Sequence, residues 1–150
     1  MASSLVPATL TITISEAINL NGQPINSQNQ LTIANVAAVD KRIVTIPTTS
    51  EVTVVDFATG VAAGTFISDN LKYVRITNKD TVNYARIRVT KNGSQTYDQQ
   101  LDAGKSMIMG NTKESVSATG VSFATYVNMD SINAQAYVAP IDIEVFVASV

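Results

Sequence analysis

The sequence predicts an all-β fold, a single antiparallel β-sandwich of jelly-roll type, on three observations. Val and Ile together number 32 against six Leu, and Thr adds 17. Side chains branched at Cβ lose rotamer freedom in helices and sit well on a pleated sheet. Apolar and polar residues alternate with period two in several stretches, separated by Asn, Asp, Gly and Pro. No long segment keeps a helical period free of Gly or dense β-branching. At 150 residues the chain suits one domain that buries roughly 70% of its unfolded surface.

Taken in order, residues 1–8 read as a short flexible N-terminal arm with little apolar surface to hold them down. They lack a basic stretch and a long apolar core, so no secretory leader is expected. Residues 9–15 alternate without a fault, with Leu10, Ile12 and Ile14 on one face and Thr9, Thr11, Thr13 and Ser15 on the other. Asn21-Gly22 and the stretch 26–29 mark a polar turn or loop. Strands follow at 31–35, 41–46 and 51–57, with Pro47 and its hydroxyl neighbours separating the last two. Residues 58–64 suit a loop or crossover. The segment 71–91 reads as a hairpin: Lys72, Val74 and Ile76 share one parity, 78–83 carry turn chemistry, and Ala85, Ile87 and Val89 resume the apolar face. A second turn is expected at Asn92-Gly93-Ser94. Later strands are expected at 95–101, 106–109, 121–128, 132–138 and 141–148. Val145-Phe146-Val147 is apolar on both parities, which predicts a last strand covered on both faces. Eight to ten short strands at this spacing make residues 9–150 one sandwich, or a closed barrel.

Composition removes several classes of function. Cys, His and Trp are absent. Disulfides, zinc sites of the Cys/His kind and the usual general base for nucleophilic catalysis are therefore excluded. Ten Lys and Arg against twelve Asp and Glu give a net charge of −2, a poor match to nucleic acid, whose phosphates call for a basic excess. No apolar run of about 18 residues suggests a membrane-crossing helix. Charge is uneven, with every Lys and Arg between Lys41 and Lys113. Residues 114–150 carry Glu114, Asp130, Asp142 and Glu144 and no base. This asymmetry fits ordinary solvated faces, or a charge-complementary contact between copies.

Familiar motifs mostly fail. Gly104-Lys105-Ser106 resembles the end of a phosphate-binding loop, but position 99 is Gln99 and a strand, not a helix, is expected to follow. Ser68-Asp69-Asn70 lacks the partner motifs of serine β-lactamases. Lys105 and Ser106, adjacent in a strand, point to opposite faces. Asp98 with Asp102, or Asp56 with Asp69, could form a carboxylate pair, but nothing singles either out. Asn92-Gly93-Ser94 fits a glycosylation sequon and, better, a hairpin turn. No catalytic, metal or cofactor residue is assigned.

A surface remains. In a hairpin symmetric about residues 80 and 81, Thr77 faces Tyr84, Arg75 faces Arg86 and Tyr73 faces Arg88. Tyr and Arg are enriched in interface hot spots, whereas arginines directly opposite need nearby carboxylates. Tyr73, Arg75, Tyr84, Arg86, Arg88 and Phe146 are therefore the candidate protein-interface residues. Either local acids or an acidic patch on a partner would complete them.

The same stretches carry a likeness. Gly64-Thr65-Phe66-Ile67 running into Leu71-Lys72-Tyr73-Val74-Arg75-Ile76-Thr77-Asn78-Lys79-Asp80 resembles virion structural proteins of tailed bacteriophages, particularly those of marine and cyanobacterial hosts. So do Tyr84-Ala85-Arg86-Ile87-Arg88-Val89 and Leu101-Asp102-Ala103-Gly104-Lys105-Ser106-Met107-Ile108-Met109. Lys41-Arg42-Ile43-Val44-Thr45-Ile46 and Ile141-Asp142-Ile143-Glu144-Val145-Phe146-Val147-Ala148-Ser149 agree with them. The resemblance implies a non-enzymatic, jelly-roll-like protein that assembles into a particle. The expected role is a capsid decoration (cement) protein on the capsid exterior. Its expected partners are the major capsid protein and its own copies, as a trimer, with no nucleic acid and no membrane. A tail or neck component and a carbohydrate- or receptor-binding sandwich are the alternatives.

Overall fold

The computed structural model describes residues 6–58, 65–91, 95–114 and 126–150. Twelve strands run along them: β1 (Ala8–Leu20), β2 (Gln23–Val36), β3 (Ala38–Ile46), β4 (Val52–Ala58), β5 (Phe66–Ile67), β6 (Leu71–Asn78), β7 (Ala85–Lys91), β8 (Gln95–Leu101), β9 (Ser106–Met109), β10 (Lys113–Glu114), β11 (Val127–Ala136) and β12 (Ile141–Ser149). One 3-10 turn, Ser68–Asn70, precedes β6. The chain divides into two compact units: the residues up to Ala37 together with Val150, and Ala38–Ser149.

The first unit is a long hairpin in which β1 and β2 pair antiparallel with each other and, among the described residues, with no other strand. Asn21 (φ 52°) and Gly22 (φ 80°) close it. Positive φ at both central residues is the turn whose twist matches that of paired strands, and Asn-Gly is its preferred sequence. The residues 26–29 expected as loop instead lie inside β2, opposite Ala17, Glu16, Ser15 and Ile14. The tight turn fixed the register, and cross-strand pairing overrode the polarity of the Asn and Gln residues. Residues 9–36, read from sequence as part of the sandwich, thus build the hairpin of this first unit. Of the expected N-terminal arm, Val6 and Pro7 are exposed and outside any strand, Ala8 opens β1, and residues 1–5 lie outside the described residues.

The second unit is a β-sandwich whose strand pairs are antiparallel except for the short parallel pair of β4 with β5. One sheet has the order β3-β12-β6-β9. The other has the order β5-β4-β11-β7-β8, with β10 paired to β11. Ile46, Val74, Ile76, Ile143, Val145 and Val147 of the first sheet meet Val54, Ile87, Val89, Ile132 and Ala134 of the second in one buried cluster. Burying each such Val or Ile contributes roughly 1.5–3 kcal/mol relative to leaving it in water. Four pairs nest inside one another in chain order: β3 with β12, β4 with β11, β6 with β9, and β7 with β8. A single long hairpin wrapped into two layers has this nesting.

That topology overturns the hairpin expected over 71–91. β6 lies between β12 and β9 in one sheet, and β7 between β11 and β8 in the other. The connection 79–84 crosses from layer to layer. The facing pairs Thr77/Tyr84, Arg75/Arg86 and Tyr73/Arg88 therefore do not exist. Both strands bury one face, so their alternation alone fits either arrangement, and pairing with strands distant in sequence decided between them. The expected turn at 92–94 and residues 121–125 of the expected strand 121–128 lie outside the described residues.

Candidate functional site

The six candidate interface residues separate onto three surfaces, the outward faces of the two sheets and one loop end. Tyr73, Arg75 and Phe146 lie on the outward face of the β3-β12-β6-β9 sheet, because β6 and β12 send Val74, Ile76, Val145 and Val147 into the core and the alternate residues outward. Tyr73 is buried and packs edge-on against Phe146, with ring centroids 6.0 Å apart at 70°. Burial raises the Tyr73 phenol above its ordinary pKa, and the Arg75 charge pulls the other way. Glu144 takes Arg75 Nη2 at 2.6 Å and Lys41 Nζ at 3.6 Å. Burial works to raise the Glu144 pKa, but the Lys41 and Arg75 charges outweigh it and hold the carboxyl below its ordinary value. Beside this row, Thr45 donates to Asp142 and Thr77 shares a hydrogen bond with Ser106. Val39, Ile43 and Ile108 on the same face are exposed. The acids Asp142 and Glu144 of the base-free C-terminal stretch thus find partners on β3 and β6 of their own chain.

Arg86 and Arg88 lie on the outward face of the other sheet, which is polar along β11, β7 and β8. In the ladder Arg86 is paired with Gln135 and Gln100, and Arg88 with Asn133 and Asp98. Arg88 meets Asp98 through two bonds, Nε to Oδ1 at 2.7 Å and Nη2 to Oδ2 at 2.8 Å. Glu51 lies between the two arginines, 2.5 Å from Arg86 Nη2 and 3.1 Å from Arg88 Nη1. Arg86 Nη2 also donates to Gln135. The Arg88 hydrogen bond holds Asp98 below the ordinary carboxylate range, and reciprocally raises Arg88. The like-charge problem inferred from sequence is therefore met by acids of the same chain. Glu51 escaped the sequence reading because it precedes β4, far from β7 in sequence. Asp98 was legible, since the hairpin expected around 92–94 sets it at matching parity opposite Arg88.

Tyr84 stands at one end of the sandwich, where the connections 47–51, 79–84, 102–105 and 137–140 meet. Asn78, 1% exposed, organises this end. Its Nδ2 donates to Asn83 O at 2.9 Å and Leu101 O at 3.0 Å, and its Oδ1 accepts from Asp80 N at 2.9 Å. Asp80 Oδ1 accepts from the backbone N–H groups of Asn83 and Val82, which lower its pKa. Asn78 N also donates to Lys105 O, and Lys79 N to Asp142 O. Each Asn and Asp satisfies backbone groups that water would otherwise have to reach. On this framework Tyr84 stacks with Tyr137, centroids 4.9 Å apart at 14°. Val82, Tyr137 and Val138 stand 80%, 67% and 68% exposed. A shallow depression of about 340 Å³ beside them is lined by Thr48, Tyr84, Arg86, Gln135, Ala136 and Tyr137. Sequence reasoning found Tyr84 and missed Val82, Tyr137 and Val138. A Tyr-Val pair just before Ala139-Pro140 was their available signal.

The other motifs are structural. Gly104 (φ 70°) sits in the turn before β9, so no helix N-terminus follows it. Asp98 is engaged by Arg88, Asp102 accepts from Gln100, and Asp69 accepts from Asn128. Among the described residues no group of three His, Cys, Asp or Glu could hold a metal ion, and no helix is long and apolar enough to cross a membrane. No protein-family model, curated protein or solved structure matches the chain.

Proposed function

We propose that this chain is a structural protein of a tailed-phage virion, a decoration protein that attaches to the capsid exterior as a homo-oligomer and reinforces joints by burying area rather than by chemistry. The observation that carries the reading is the loop end built on Asn78 and Asp80. There Val82, Tyr137 and Val138 project from hydrogen-bonded turns, and presenting apolar surface on a preorganised frame reduces the ordering cost of docking. Two features support it. The nested strand pairing of the β-sandwich is compatible with the jelly roll that the resemblance to phage virion proteins implies. The arginines are neutralised internally, so attachment through the loop end needs no acidic partner for Arg75, Arg86 or Arg88. Repeated modest contacts by a linked oligomer then add through effective concentration. Quantitative mass spectrometry of purified virions tests this. Hundreds of copies per particle are expected, whereas about six or twelve copies, the count of a symmetric ring, place the chain at the neck or tail instead. Val82→Asp should lower incorporation while the fold is kept.

The Tyr84–Tyr137 stack favours a second reading, a carbohydrate- or receptor-binding module. An exposed Tyr ring beside Arg86 and Gln135 offers a sugar both a stacking face and polar partners. Glycan-array binding abolished by Tyr137→Ala would select this reading over decoration.

A further inference from the structure

We propose that the apolar face of the β1–β2 hairpin is a self-association surface, covered by the same face of a second, antiparallel copy of this chain. This deepens the homo-oligomer above; it rests on that self-association and not on the virion.

The register sorts the hairpin into two unlike faces. Six cross-strand rows share one face, from base to tip: Leu10·Ile33, Ile12·Leu31, Ile14·Asn29, Glu16·Ser27, Ile18·Ile25 and Leu20·Gln23. The opposite face carries Thr11·Thr32, Thr13·Gln30, Ser15·Gln28, Ala17·Asn26 and Asn19·Pro24. On the first face Ile14, Ile18, Leu20, Ile25 and Leu31 are 43–56% exposed. An isolated two-stranded hairpin is at best marginal in water, and stability requires that such a face be covered. Both outer edges are long and nearly uncharged, since Glu16 is the one charged residue between positions 8 and 36. Natural edges usually carry more protection than that.

The face matches itself when turned end for end. Antiparallel stacking sets Ile12·Leu31 over Ile18·Ile25, Leu10·Ile33 over Leu20·Gln23, and the two polar-containing middle rows over each other. The two Glu16 carboxylates are then offset by a row step of roughly 7 Å, whereas a parallel copy would superpose them. A ribbon roughly 40 Å long and 10 Å wide offers about 400 Å² per copy, so a pair buries about 800 Å², the size of a weak, reversible interface. This pairing closes at two copies, in place of the trimer expected from sequence.

Sedimentation velocity on the full chain tests it, with Ile25→Asp on the apolar face and Ala17→Asp on the polar face as a matched pair. The expected result is a dimer for the wild type and Ala17→Asp, and a monomer of unchanged strand content for Ile25→Asp. The milder Ile25→Thr keeps β-branching and should raise the dimer Kd by at least about tenfold. A monomeric wild type, a trimer, or a dimer that survives both Ile25 substitutions overturns the proposal. So does a wild-type monomer that co-sediments with phosphatidylcholine vesicles, which would make lipid the occupant of the face.

Discussion

Removing the Asn78 amide should be among the more damaging single changes to the sandwich. In Asn78→Ala the carbonyl oxygens of Asn83 and Leu101 and the N–H of Asp80 lose their partner. The bond to Leu101 is buried, so that oxygen is left without water, at about 1–3 kcal/mol; the other two are partly accessible and cost roughly 0.5–1.5 kcal/mol each. The expected destabilisation is about 3 kcal/mol, which at a slope of about 2 kcal/mol/M moves the urea midpoint down by about 1.5 M. Asn78→Asp separates hydrogen-bond direction from shape. It keeps the oxygen facing Asp80 but replaces the donor with an acceptor aimed at two carbonyls, and it should cost at least as much as Asn78→Ala. Near-UV circular dichroism can follow the transition, since the chain has five Tyr and no Trp. An Asp variant as stable as wild type, or an Ala variant within 1 kcal/mol of it, would refute the assignment of Asn78 as the organiser of the loop end.

Glu51→Gln leaves Arg86 and Arg88 sharing Asp98 alone. Because all three side chains are about a third exposed, the loss should be only about 0.5–1 kcal/mol and should shrink in 1 M salt, as thermal melts at two salt concentrations would show. Asp80, Asp98 and Glu144 all have lowered pKa values in the folded chain. The unfolded chain therefore binds more protons as the pH drops below about 4, and stability present above that range is lost as the folded values are approached; midpoint denaturant concentrations across pH 2–6 would register the fall. Deleting residues 141–150 removes the strand that joins β3 to β6, and should abolish cooperative melting of the sandwich.

Neutral or charged, the polar residues divide sequence from structure more clearly than the apolar ones do. The strands Gln95–Leu101 and Ser106–Met109 were expected at the observed bounds, and Asn21-Gly22 announced its turn, because side-chain direction and positive φ are local properties. Phe146 between two core valines correctly signalled a strand with apolar contacts on both faces. Which strands lie side by side was not local. β6 and β7 each needed one apolar face, and either a hairpin or two separate sheets supplies it. Closing β7 on β11, and β6 on β12, settled the matter through residues 38 to 78 positions apart. The arginines show the consequence. From sequence Arg75 and Arg86 were neighbours short of an acid; in the fold they occupy different sheets, each beside a carboxylate supplied by another strand or connection. Sequence determined which side chains face outward, since that depends on parity, and tertiary structure decided what each one meets there, since that depends on the order in which the strands assemble.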